Sequence, residues 1–209
     1  MSLIHASHQK ELREADWRSR GYLPHFDGRA VPQFITLHLA DSIPQKVIER
    51  WGRELSQLKS TEEQIVLQRR IEKYLDQGYG SCLLNDHRVA TIVQDSLLKF
   101  DGDRYKLFAW VVMPNHSHSL MTRSEDWELE RLMHSHKSYT AHEANKVLKR
   151  SGKFWMDEYY DRYIRNPEHF RNTVAYIENN PVKAGLCAKP SDWSFSSAWF
   201  RQHSDRFQS

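Results

Sequence analysis

Val111-Val112-Met113-Pro114-Asn115-His116-Ser117-His118-Ser119-Leu120 is the stretch on which the reading of this chain turns. The run leading into it, Tyr105 to Val112, is rich in aromatic and β-branched residues and predicts a strand, while Pro114 and Asn115 predict a bend or an edge. Strand side chains alternate with a period of two, so His116 and His118 are expected on one face, within reach of a single metal ion. A pair at the rim of a sheet is open to substrate. The chain holds twelve histidines in 209 residues, and the same spacing also arises from two ordinary, partly exposed side chains. Alternation alone leaves both readings open.

A second segment bears on that choice. In Arg165-Asn166-Pro167-Glu168-His169-Phe170-Arg171-Asn172-Thr173-Val174-Ala175-Tyr176-Ile177-Glu178-Asn179-Asn180-Pro181-Val182-Lys183-Ala184-Gly185-Leu186, Asn166 is an N-cap, Pro167 suits the first helical position and Glu168 suits the positive helix start. The helix is expected to run to about Asn180, where Pro181 forbids continuation. Phe170, Val174 and Ile177 form its apolar side, and Tyr176 and Asn180, four apart, stack one turn above the other. A phenol and an amide oxygen therefore share a face. Taken alone, Tyr176 also suits a core aromatic and Asn180 a residue capping its own turn.

Met113-Pro114-Asn115-His116-Ser117-His118 together with Tyr176-Ile177-Glu178-Asn179-Asn180-Pro181-Val182-Lys183-Ala184-Gly185-Leu186 resembles the REP-associated tyrosine transposases, relatives of the single-tyrosine HUH transposases. The likeness extends through Arg20-Gly21-Tyr22-Leu23-Pro24-His25-Phe26-Asp27, Leu39-Ala40-Asp41-Ser42, His136-Lys137-Ser138-Tyr139-Thr140-Ala141 and Tyr160-Asp161-Arg162-Tyr163-Ile164-Arg165, from about residue 17 to about 200. The resemblance implies metal ligands at His116, His118 and Asn180 and a nucleophile at Tyr176. Asn180 stands where insertion-sequence relatives usually carry glutamine. Ser117 stands where the HUH pattern has a bulky hydrophobic residue; alternation turns it away from the metal, so packing rather than chemistry bears the change.

The implied chemistry suits these residue types. A tyrosine hydroxyl with a pKa of about 10 is protonated at neutral pH and needs assistance. A divalent metal on two imidazoles and an amide oxygen keeps positions open for water and a phosphate oxygen, and magnesium or manganese fits that donor set better than zinc. By resemblance, Tyr176 becomes joined to a 5′ phosphate and releases a 3′ hydroxyl, conserving the bond for rejoining. The substrate implied is single-stranded DNA flanking REP-type palindromic hairpins. A DNA-binding protein of such repeats without significant cleavage is the alternative, and an unrelated metal-dependent hydrolase built on His116 and His118 would leave the Tyr176 segment without a purpose. No sequence feature names a general base.

The net charge of +3 does not by itself announce DNA binding. Local clusters do more: Lys146, Lys149, Arg150 and Lys153, then Arg162, Arg165 and Arg171 among Tyr159, Tyr160 and Tyr163, suit phosphate contacts and stacking on unpaired bases. Arg18, Arg20, Lys137, Lys149, Arg150, Arg162 and Arg165 are the expected DNA contacts. A solvated helix face with ordinary core tyrosines is the other reading of the same residues. Cys82 and Cys187 lack metal spacing and the density of a secreted scaffold. No apolar run approaches the roughly 20 residues needed to span a bilayer, so no membrane partner is expected. The amino terminus is polar and charged, and a cytoplasmic bacterial protein, nucleoid-associated at most, is expected.

Residues 1–32 are expected to form an irregular arm after a helix around 8–18, with 33–200 the transposase-like domain and 201–209 a tail. Gln33 to Leu39 alternates as a first strand, neighbouring the histidine strand. Helices are expected over 44–58 and 61–76, from a cap at Asn85 through Phe100, and over about 127–150, with 44–100 an insertion relative to the smallest relatives. The order indicates an α+β domain with an antiparallel sheet and helices packed on one face. The resemblance sharpens this to a ferredoxin-like or RNA-recognition-like core with Tyr176 coming over the histidines on a helix. A monomer is expected, a dimer being the other arrangement found among relatives.

Overall fold

The computed structural model describes residues 17–19, 24–26, 31–57 and 61–203. Its centre is a four-stranded antiparallel sheet of β3 (Gln33–His38), β4 (Tyr105–Val112), β5 (His116–Arg123) and β6 (Tyr160–Tyr163), in the spatial order β4-β5-β3-β6. With α3 (His87–Leu98) between β3 and β4, and α4 (Leu129–Val147) between β5 and β6, the connectivity is βαββαβ. That is the ferredoxin-like arrangement. Two short strands ahead of it, β1 (Trp17–Ser19) and β2 (Pro24–Phe26), pair antiparallel. The expected helix over 8–18 lies outside the described residues except for Trp17 and Arg18, which are extended.

Alternation assigns the two faces of the sheet. Ile35, Leu37 and Leu39 point into a core with Val89, Val93, Leu97, Leu129, Leu132 and Met133 of α3 and α4. Phe34 points the other way, joining Ala109, Val111, Met113, Leu120 and Ile177 beneath α5 (Pro167–Lys183). The ferredoxin-type pair α3 and α4 thus shares one face as expected, and the second face belongs to α5 and the histidines.

The hairpin joining β4 to β5 closes through Met113 N–H donating to the His116 carbonyl (2.8 Å), with Pro114 and Asn115 at its tip. The expected bend is therefore a tight turn, pinned further by Leu39 N–H on the Asn115 carbonyl and Leu84 N–H on that of Pro114. Of the helices preceding β4, α1 (Gln45–Gln57) and α2 (Thr61–Leu75) have a cluster of their own, Ile43, Ile48, Trp51 and Leu75, whereas α3 belongs to the core of the sheet. β6 is a further element that periodicity did not reveal. Four residues on an edge, bonded on one side to β3, carry too little alternation to stand out.

α5 corrects the expected helix end. Asn166 caps it, accepting from His169 N–H (2.8 Å), and Pro167 is its first residue. The helix then continues through Pro181 to Lys183. A proline near a helix end forfeits the one hydrogen bond that its own nitrogen would donate, while residues after it stay helical. The end lies at Gly185, with φ of 71°, where Leu186 N–H reaches the Pro181 carbonyl and Gly185 N–H that of Val182. This is a Schellman closure. Tyr176, Asn180 and Lys183 consequently stand on one face, at spacings of four and three. Among the described residues, no helix is long and apolar enough to cross a membrane.

Candidate active site

His116 and His118 lie one strand step apart on β5, opposite His38 and Thr36 of β3. Both imidazoles are buried, with ring centroids 4.7 Å apart. The tautomer of His116 follows from its neighbour. Asn115 uses its amide nitrogen on the Leu75 and Tyr79 carbonyls (3.1 and 3.0 Å), so its oxygen faces His116 Nδ1 at 2.7 Å and must accept. His116 Nε2 therefore carries a lone pair. His118 Nδ1 meets the Thr36 hydroxyl at 2.9 Å, and with that hydroxyl accepting, its Nε2 is bare as well. Both Nε2 atoms are buried without a hydrogen-bond partner.

Burial lowers the His116 pKa to about 3, with His38 and Lys183 acting in the same direction. His118 is likewise held well below the usual range by burial, then by His116, Lys183 and Arg162. Neutral imidazoles with unpartnered Nε2 atoms are what a metal requires of histidine.

α5 sets Tyr176 and Asn180 over this pair. The Tyr176 ring centroid is 5.5 Å from that of His118 and 5.9 Å, edge-on, from Phe34. Asn180 is buried, and its Oδ1 has no hydrogen-bond partner. The Tyr176 hydroxyl is buried without a hydrogen-bond partner and is held protonated, its pKa raised by burial first, then by the Glu72 and Asp76 carboxylates, with Arg162 opposing the rise. The unpartnered Nε2 atoms and amide oxygen fit a divalent cation.

Sequence reasoning missed three charged groups here. Glu72 on α2 and Asp76 just past its end, one helical turn apart, reach the site. Lys183 Nζ lies 2.6 Å from Asp76 Oδ2 and 5.6 Å from the Tyr176 ring centroid. No local pattern connects Asp76 with histidines forty residues on. Lys183 did carry a signal, its helical spacing from Tyr176, which the reading of Pro181 as a stop concealed.

The expected DNA contacts are distributed. Arg162, opposite Phe34 on β6, places its guanidinium 5.2 Å from the Phe34 ring, beside the site. Arg165 stacks 5.8 Å from Tyr163. Lys137, Lys149 and Arg150 belong to α4 and its end, on the other face of the sheet. The Lys137 ammonium donates to the Asp157 carbonyl (2.6 Å), and Arg150 to that of Lys153. The Arg18 side chain and the whole of Arg20 lie outside the described residues.

Residues 82–180 match the family model described as Transposase IS200 like, a span that includes His116, His118, Tyr176 and Asn180. The matched span is just under half of the chain. Over 108 residues the chain is 32% identical to an Escherichia coli (strain K12) protein named REP-associated tyrosine transposase. That match takes in 51% of this chain and 62% of the relative, under two thirds of its length. A solved structure of a REP-associated tyrosine transposase bound to a REP hairpin superposes with a TM-score of 0.55, covering 86% of this chain and 84% of that one at 20% identity. The two share a fold. Glu72 and Asp76 precede the matched span and Lys183 follows it.

Proposed function

We propose that this chain cuts and rejoins single-stranded DNA beside REP-type palindromic hairpins, with Tyr176 as the nucleophile. The observation that carries the reading is the Tyr176 phenol seated over two buried imidazoles whose Nε2 atoms are unpartnered. The E. coli relative's name and the hairpin held by the superposed transposase support the choice of substrate.

His116, His118 and Asn180 would hold a divalent cation, magnesium or manganese. When bound, it supplies Lewis-acid polarisation of the scissile phosphate. The remaining work belongs to the chain. Tyr176 Oη attacks phosphorus as its proton passes to the Glu72 carboxylate. The P–O3′ bond breaks, the 3′ oxygen takes a proton from water, and the strand stays attached as a 5′-phosphotyrosine. Attack by a 3′ hydroxyl reverses the step and rejoins DNA. Arg162, beside the phenol, and Arg165 on the same edge are assigned to phosphates of the cut strand. Lys149 and Arg150, with Arg18 and Arg20, are assigned to flanking DNA. Lys137, on α4 like Lys149 and Arg150 at its end, is assigned to flanking DNA as well. One chain supplies the histidines, the phenol and the amide together, which supports a monomer. A chromosomal substrate implies a cytoplasmic, at most nucleoid-associated, protein.

The test is incubation with labelled hairpin oligonucleotides and manganese or chelator, followed by denaturing electrophoresis. A metal-dependent covalent adduct, lost in Tyr176→Phe, is expected. Cleavage and attachment by Tyr176→Phe would refute the assignment. Tight binding without cleavage across varied repeats would establish the DNA-binding alternative instead.

A further inference from the structure

The ligand set His116, His118 and Asn180 is electrically neutral and buried, so a divalent ion within it would lack an anionic ligand from the protein. Asp76 stands where one is needed. Its Oδ1 lies 3.9 Å from His116 Nε2, and one donor atom from each of Asp76, His116 and His118 fall within 4.8 Å of one another. Donors at about 2.2 Å from one ion are separated by roughly 3.1 to 4.4 Å, so contraction by a few tenths of an ångström closes the set. The two Nε2 atoms and Asn180 Oδ1, all buried and unpartnered, provide the independent sign that a ligand belongs there.

The carboxylate is already oriented. Oδ2 is held by Lys183 Nζ at 2.6 Å, and Oδ1, on the side of His116, accepts from Asn180 Nδ2 at 3.4 Å. The side chain is only 10% exposed. We propose that Asp76 is the anionic ligand of the metal centre, delivered by the end of α2 and aligned by Lys183. The proposal rests on reading His116, His118 and Asn180 as that centre. It makes the α2 segment part of the active site and turns the donor set toward hard, oxygen-preferring ions. Lys183 is thereby a positioning residue that holds the other carboxylate oxygen, and since its loss leaves the ligand in place its effect on metal binding is expected to be smaller than that of Asp76.

The test is Mn2+ binding by the full chain without DNA, read from loss of the free-ion electron paramagnetic resonance signal and from the metal-induced rise in Tm. Wild type, Asp76→Asn, His118→Ala and Lys183→Met are compared. Expected are binding by wild type, its loss in His118→Ala, a tenfold or greater weakening in Asp76→Asn with a correspondingly smaller Tm rise, and Lys183→Met within about threefold of wild type. If Asp76→Asn does not fold, Asp76→Glu keeps the charge while displacing the oxygens, and weakening there carries the same meaning. Asp76→Asn or Asp76→Glu binding within twofold of wild type, with His118→Ala abolishing it, overturns the role of Asp76 and leaves the histidine site standing. Equal losses in Asp76→Asn and Lys183→Met would show that the ion pair, rather than ligation, is what matters. Failure of wild type to bind Mn2+ overturns both readings.

Discussion

Asn115 ties the hairpin turn, the end of α2 and the first imidazole together, and Asn115→Leu separates them. Three hydrogen bonds are lost: those donated to the Leu75 and Tyr79 carbonyls and that accepted from His116 Nδ1. The Leu75 carbonyl keeps Gly78 N–H at 3.0 Å, and Tyr79 is exposed enough for water to serve its carbonyl. Those two losses therefore cost only their net worth, about 2 kcal/mol together. His116 is 1% exposed, so its Nδ1–H is left bare at a further cost of roughly 1 to 3 kcal/mol. A change to the other tautomer would relieve that penalty by placing the proton on Nε2, the atom a metal needs. Asn115→Leu is thus expected to lose about 4 kcal/mol in urea unfolding without metal, and to bind Mn2+ 10- to 100-fold more weakly, in the range of outer-shell substitutions. Asn115→Asp retains the acceptor for His116 but not the donors, so it should lose stability while keeping most Mn2+ affinity. Unfolding of Asn115→Leu within 1 kcal/mol of wild type, with Mn2+ affinity within twofold, would refute the reasoning.

His136, buried on α4 with its Nδ1 against Ser96 Oγ at 2.8 Å, has a pKa lowered by burial to about 4. The unfolded value is about 6.5, so the unfolded chain binds more protons between these limits, and stability present above pH 6.5 is lost as pH falls toward 4, by roughly 3 kcal/mol. His136→Gln should flatten that part of the plot of unfolding free energy against pH; an unchanged slope contradicts it. Gly80 has φ of +92°, and an added Cβ would lie 2.8 Å from the Asp41 carbonyl oxygen, so Gly80→Ala should lower stability by about 2 kcal/mol or more in urea titration. Wild-type stability there would show that the turn can move. Glu72→Gln removes a carboxylate that raises the Tyr176 pKa, so the phenol should titrate lower by difference absorbance, while adduct formation falls about 10²-fold and hairpin binding holds. An unchanged adduct rate would exclude Glu72 as proton acceptor.

Much of this was legible along the chain because it is local. Alternation fixes the faces of β3 and β5, and Asn166 with Pro167 marks the start of α5. The spacing of two between His116 and His118 and of four between Tyr176 and Asn180 survives folding unchanged, since strand and helix geometry convert such intervals directly into shared faces. β6 escaped because edge strands of four residues are defined by their partner. The end of α5 escaped because a single proline removes one bond without ending the turn that follows.

The sequence by itself determined the α+β elements and the faces bearing the two imidazoles, the phenol and the amide, since periodicity acts within a few residues. Only the tertiary structure decided that α5 covers the histidine face of the sheet, that Asn115 sets the His116 tautomer, and that Glu72, Asp76 and Lys183 converge there. These facts depend on packing between segments forty to more than a hundred residues apart, where no spacing rule carries the information.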